Sequence, residues 1–262
     1  MPEGHTLHRL ARDQSEMLVG RKVRVSSPQG RFESEARLID GVVLRRVEAY
    51  GKHLFHWWAN DLVGHVHLGL FGKFRVTPGR SAPEPIGAVR MRMRSRDATI
   101  DLAGPTACEL GTEELRDRIV ARLGPDPLRD DAEPKLAIDR MSRSRLPVGA
   151  LLLDQRVMAG VGNVYRAEVL FVNGIHPMRP GLGCSVDELE AIWETTAAML
   201  RKGVEENRIV TIDPELLAPG RSRRGDSTFA YHRDRCLRCA GAIETVELGG
   251  RACYFCPVCQ PG

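Results

Sequence analysis

No stretch of this chain is long and apolar enough to span a bilayer, and no secretory signal opens it, since MPEGHTLHRL turns polar within a few residues. Those absences exclude a helical membrane protein and point to a soluble, cytoplasmic one, where thiols stay reduced. No internal repeat is present, which excludes a solenoid. Lysine is scarce: Lys22, Lys52, Lys73, Lys135 and Lys202 are the only ones. A net charge of only +4 says little by itself about nucleic acid. Position says more than number, because Arg221, Arg223, Arg224, Arg233, Arg235, Arg238 and Arg251 gather in the last quarter. Clustered guanidiniums suit phosphate binding with counterion release; a solvated charged face is the competing reading.

What is present is sharpest at the far end. Cys236-x2-Cys239-x16-Cys256-x2-Cys259 places four thiolates in two short knuckles joined by a hairpin-length segment. That spacing suits one closed, tetrahedral, structural Zn2+. Two disulfides, or a redox Cys-x-x-Cys, are the other readings. Cys108, Cys184 and Cys253 fall outside the pattern.

With 262 residues the chain has room for two modest cores. Leu7, Leu10, Gln14, Met17 and Leu18 have helical spacing and Gly20 is a stop. From Lys22 to about Leu102 the pattern is strand-like, with runs at 42–50, 53–58, 63–68 and 89–96. In the last, Val89, Met91 and Met93 alternate with Arg90, Arg92 and Arg94, which implies one apolar and one basic face. A helix followed by many strands suggests a two-sheet sandwich. Helical period returns at 112–123 and breaks at Gly124-Pro125-Asp126-Pro127. An interdomain linker is expected over 125–140, then helices over 151–157, 163–172 and 185–202. The last opens with a capping box, Ser185 and Glu188, and closes at Gly203. Residues 213–228 read as a loop.

Three further segments carry chemical potential. Pro2-Glu3-Gly4 becomes an N-terminal secondary amine once Met1 is removed. Such an amine, with a pKa near about 7.7–8.0, is partly neutral at physiological pH. It is then a candidate nucleophile toward a sugar C1′, with Glu3 as acid or base. Gly51-Lys52-His53 occupies a tight turn between strands. Gly160-Val161-Gly162-Asn163 feeds a helix N-terminus, whose N–H groups suit a phosphate.

In order and spacing these segments resemble the formamidopyrimidine-DNA glycosylase/endonuclease VIII family of base-excision repair enzymes. The resemblance also rests on His67-Leu68-Gly69-Leu70-Phe71-Gly72, Leu123-Gly124-Pro125-Asp126-Pro127-Leu128, Leu153-Asp154-Gln155 and Gly250-Arg251 with Cys256-Pro257-x-Cys259-Gln260. It implies an α+β fold: an N-terminal helix and β-sandwich (1–124), the linker, a helix-two-turn-helix domain (141–230) and a zinc-finger hairpin (231–262). It implies Pro2 as nucleophile, Glu3 as the carboxylate that protonates the sugar oxygen, and Lys52 beside the scissile phosphate. Asn163 and Arg251 would grip phosphates flanking an extruded nucleotide, with His67 and Tyr231 as further contacts. Leu70 and Phe71 would fill the vacated space, sandwich core being their competing role. The partner would be double-stranded DNA carrying an oxidised base or abasic site, bound by a monomer at the bacterial nucleoid.

Departures separate the family's branches. The guanine-directed branch has an Asp-Pro-Arg-Arg-Phe-Gly-like segment where this chain reads Asp101-Leu102-Ala103-Gly104-Pro105, and a lysine where it reads Gly149. Both losses favour the endonuclease VIII side and oxidised pyrimidines. Thr6 stands where relatives often have Glu, which leaves proton shuttling less defined. The alternatives are the same chemistry on oxidised guanine or formamidopyrimidine, and a catalytically silent zinc-dependent DNA-binding protein.

Overall fold

Leu7, Ala11, Gln14 and Leu18 lie on one side of the first helix, α1 (Gly4–Leu18), and all are buried. Gly20, at φ +79°, lets the chain reverse into the sheet. Gln14 is the polar member of that stripe. Its Oε1 accepts from His56 Nε2 at 2.7 Å, a buried bond that ties α1 to a strand and so fixes the chain start. Burial pushes His56 down to about 4, so its ring is neutral.

The structure, a computed structural model, describes residues 2–212 and 227–262. The chain divides into two units, 1–122 and 123–262. In the first, α1 is followed by β1 (Lys22–Ser26), α2 (Glu33–Ile39), β2 (Val42–Tyr50), β3 (His53–Trp58), β4 (Val63–His67), β5 (Lys73–Pro78), β6 (Val89–Arg94), β7 (Ala98–Ala103), β8 (Ala107–Gly111) and α3 (Glu113–Val120). All strand pairs are antiparallel, in the order β5-β7-β6-β1-β2-β3-β4-β8. β1 changes partner midway: Lys22 and Val23 pair with β2, Arg24 to Ser26 with β6. That exchange is the corner at which one sheet becomes two four-stranded layers. Leu18, Val23, Phe32, Leu44, Leu54, Val66, Met93 and Ile100 fill the core.

Two expectations for this unit change. The strand-like stretch contains a helix, α2, which buries Ala36 and Ile39. The basic face of β6 is interrupted, because Arg92 is buried and grips Asp101 of β7 through two bonds of 2.6 and 2.8 Å. Alternation reveals which residues share a face, but not that the neighbouring strand supplies a carboxylate.

The second unit comprises α4 (Pro134–Ser142), α5 (Val148–Leu151), α6 (Asn163–Val172), α7 (Val186–Glu206) and a hairpin of β9 (Glu244–Leu248) and β10 (Arg251–Phe255). The expected linker 125–140 contains most of α4, whose Ala137, Ile138 and Met141 join the core of Leu152, Val161, Tyr165, Leu170, Leu189 and Leu200. Pro134 lies in that helix's first turn, where its missing N–H costs no helical bond. The helix expected over 151–157 is instead α5 ending at Leu151. Asp154 then accepts the Arg156 N–H at 2.9 Å, a local bond that competes with helix continuation. The Ser185/Glu188 capping box forms. α7 runs past the buried Gly203 and ends at Asn207, in the left-handed region at φ 55°. No helix among the described residues is long and apolar enough to cross a membrane.

Candidate active site and nucleic-acid interface

Pro2 precedes the N-cap residue of α1. Glu3 occupies the helix N-cap position with extended backbone and has no solvent exposure. Its carbonyl accepts the Thr6 N–H at 2.9 Å, which starts the helix. His5 is also buried; burial above all pushes it down to about 4, so the ring beside Glu3 is a neutral imidazole.

Lys52 is carried by a two-residue hairpin turn between β2 and β3, closed by the Tyr50–His53 pair, with Gly51 at φ 56°. His67 ends β4, facing His53 across the strand pair. Immediately after it, Gly69 to Gly72 form a tight turn. A Cβ on Gly69 would lie 1.9 Å from Thr106 Oγ1, and one on Gly72 would lie 2.2 Å from the Leu68 carbonyl oxygen. Two glycines that admit no side chain thus force Leu70 and Phe71 outward, at 58% and 86% exposure. Exposure that large removes sandwich core as their role.

In the second unit Asn163 opens α6, following Gly162. Its Nδ2 donates to the Ala252 carbonyl at 3.0 Å, and Arg166 donates to its Oδ1. Arg166, fully buried, also donates to the carbonyls of Leu248 at 3.0 Å and of Gly149 and Arg251 at 3.3 Å. Asn163 and the Arg251 backbone are therefore held in one frame, although no motif pointed to Arg166. Gly249 and Gly250, at φ 61° and 70°, make the two-residue turn that puts the exposed Arg251 at the start of β10.

Glu168, two residues after Arg166 on α6, was equally silent in the sequence. Fully buried, it accepts from the N–H groups of Phe229 (2.6 Å), Ala230 (2.9 Å) and Tyr231 (2.8 Å) and from the Thr211 hydroxyl. Burial pushes its carboxyl up; these bonds pull the other way. Tyr231 is thereby fixed, its ring edge-on to Tyr254 at 5.1 Å. Residues 213–226 of the expected loop, with Arg221, Arg223 and Arg224, lie outside the described residues.

The four cysteines converge, with their ligand atoms within 4.8 Å of one another. Cys236–Cys259 sulfurs are 3.7 Å apart and Cys239–Cys256 sulfurs 3.5 Å. Tetrahedral zinc with Zn–S bonds of about 2.3 Å requires sulfur separations of about 3.8 Å. The set fits zinc, and all seven cysteines are outside disulfides. Cys253 is no ligand: it is buried on β10, opposite Val246.

Three family models match the chain in order. They are the formamidopyrimidine-DNA glycosylase N-terminal domain over 1–104, the formamidopyrimidine-DNA glycosylase H2TH domain over 123–213, and the zinc finger found in FPG and IleRS over 233–262. "Endonuclease 8 1" of Mycobacterium tuberculosis is 49% identical over 273 residues, covering 99% of this chain and all of the relative. The chain belongs to the formamidopyrimidine-DNA glycosylase/endonuclease VIII family. Within it the chain falls on the endonuclease VIII branch. "DNA-(apurinic or apyrimidinic site) lyase Nei2" of Mycolicibacterium smegmatis is 34% identical, covering 99% of each chain. Among solved structures, a Lactococcus lactis Fpg complex with abasic-site DNA superposes with a TM-score of 0.80 at 22% identity, covering 99% of this chain and all of that one. A complex of the same enzyme with N7-benzyl-Fapy-dG DNA gives 0.81 at 24%, covering all of both chains. These share the fold; this chain is an α+β protein ending in a four-cysteine zinc finger. As a member of this family the protein is a DNA glycosylase with AP lyase activity in base-excision repair.

Proposed function

We propose that this enzyme releases oxidised pyrimidines from double-stranded DNA through an N-terminal proline iminium and cleaves the strand by β,δ-elimination. The observation that carries the chemistry is Pro2 at the start of α1, directly followed by a carboxylate with no solvent exposure. The Pro2 nitrogen attacks C1′ and the base leaves with the glycosidic electron pair. Glu3 takes the proton that the Pro2 nitrogen gives up and delivers it to the sugar ring oxygen, and the ring opens to the iminium. The iminium withdraws electrons from C2′, a C2′ proton is lost, and the phosphates on either side leave in turn.

The nucleotide must leave the stack for this attack, at a cost of a few kcal/mol, roughly. The exposed Leu70 and Phe71 are suited to fill the space it leaves. Lys52, His67, Asn163, Arg251 and Tyr231 serve as backbone contacts. A single Zn2+ holds the hairpin bearing Arg251 and takes no part in catalysis, because four thiolates leave no open position.

Two observations favour pyrimidines. Asp101 and Leu102 are buried within β7, and Asp101 is engaged by Arg92, so this stretch sends no wedge into a duplex. Gly149 has no room for a side chain, since an added Cβ would lie 2.9 Å from Leu248 Cδ1 and 3.0 Å from the Pro177 carbonyl oxygen. A panel of duplexes with thymine glycol, oxidised cytosine, oxidised guanine and formamidopyrimidine opposite each base tests the preference. Pyrimidine lesions are expected to be released at least tenfold faster; efficient release of oxidised guanine opposite cytosine would reverse the assignment. Nicking of preformed abasic DNA separates either enzyme from a silent binding protein.

A further inference from the structure

A cluster of imidazoles adjoins Lys52, and the chemistry above uses His67 but leaves His53 and His65 without a task. On one face of the β3–β4–β8 layer, His53 pairs across from His67, and His65 across from Glu109. His53 Nδ1 and His65 Nε2 are 2.9 Å apart, and His65 Nδ1 lies 2.8 Å from Glu109 Oε1. The Phe55 ring stacks on His65 at 5.2 Å, and the His67 ring lies 4.9 Å from that of His53. His65 is 4% exposed while the Glu109 side chain is 52% exposed. A hydrogen-bonded line thus runs from solvent, through a buried ring, to the residue after Lys52.

The carboxylate fixes the direction of this line. It can only accept, so His65 Nδ1 donates to Glu109. A neutral His65 then offers a bare Nε2, so His53 Nδ1 donates to it. His53 is left with Nε2 as a proton acceptor. Burial, reinforced by His65, His67, Arg122 and Lys52, pushes His53 down to about 3, and it is neutral in the unliganded protein. Burial likewise lowers His65 and His67, with Glu109 opposing the effect at His65. Tyr50, on β2, is the remaining titratable group paired across from His53.

We propose that Glu109, His65 and His53 are positioning residues that make the docking of a DNA phosphate at the Lys52 turn proton-coupled. This rests on Lys52 being a phosphate contact. As the phosphate arrives, a proton from solvent binds His53 Nε2. The His53 Nδ1 proton passes to His65 Nε2, and the imidazolium charge comes to rest beside Glu109. No bond to DNA forms or breaks, and the protein gains one positive charge. An opposite charge at contact distance raises proton affinity by as much as about a thousand-fold, enough to populate this state at mildly acidic pH.

The test is calorimetric titration of the full-length zinc protein with a duplex bearing an uncleavable abasic analogue, in buffers of different ionisation heat. Wild type is expected to take up a growing fraction of one proton as pH falls, little at pH 8, about half at pH 6 and close to one at pH 5, with affinity about tenfold higher at pH 5 than at pH 8. Glu109→Gln keeps an acceptor but removes the charge, and His65→Phe severs the line; each is expected to lose at least half of the uptake. If His65→Phe fails to fold, the exposed Glu109→Gln decides. Equal uptake in wild type and Glu109→Gln overturns the relay even where Lys52→Met impairs binding and cleavage. Lys52→Met with undiminished binding and cleavage overturns the role of Lys52, and the relay's purpose with it.

Discussion

Glu3→Gln is expected to slow release of an oxidised base by about 10²–10⁴-fold, the range for loss of a positioned acid–base group. DNA affinity should change little, because the amide is isosteric and the residue is sealed from solvent. The same variant should still nick preformed abasic DNA at a measurable fraction of the wild-type rate. An abasic sugar already equilibrates with its open aldehyde, so Pro2 can form the iminium there without help from Glu3 in opening the ring. Parallel single-turnover assays on a lesion duplex and an abasic duplex check this. Equal losses on both substrates would place Glu3 in the elimination rather than in ring opening.

Loss of zinc has the second largest expected effect. The metal's binding free energy is folding free energy, on the order of 10–16 kcal/mol for structural sites. β9 and β10 form only a two-stranded ribbon, which has little stability of its own. Cys256→Ala should therefore release zinc to a chromophoric chelator, unfold the hairpin and reduce damaged-DNA affinity by about a hundredfold or more. Arg251→Ala should weaken binding by about tenfold, as expected for one charge-assisted phosphate contact, while retaining zinc. Zinc loss in Arg251→Ala would contradict the division between a metal that shapes the hairpin and an arginine that contacts DNA.

Features set by short-range chemistry were legible in the sequence. The knuckle spacing of Cys236/Cys239 and Cys256/Cys259, the Ser185/Glu188 box and the start of α6 at Asn163 each depend on partners within one turn or one motif. The outward turn at Leu70 and Phe71 rests on its two flanking glycines. Buried polar residues with remote partners were not legible. Arg166 bonds Leu248, 82 positions away, and Glu168 bonds Phe229, 61 positions away. In sequence each is one more charge on a helix. Arg92 misled for the same reason, since strand alternation exposes it to view as a basic face while β7 supplies Asp101. α4 was hidden because the linker expected after the break at Gly124-Pro125-Asp126-Pro127 was carried on to 140, across Pro134, which sits in the first helical turn.

The glycosylase chemistry turns on the nitrogen of Pro2. Borohydride reduction during reaction with thymine-glycol or abasic duplex DNA should convert the iminium to a stable amine, with protein and DNA joined one to one. Peptide mapping should find the sugar remnant on the N-terminal peptide beginning at Pro2. No adduct from protein whose Met1 has been removed, or an adduct on Lys52, would contradict the account.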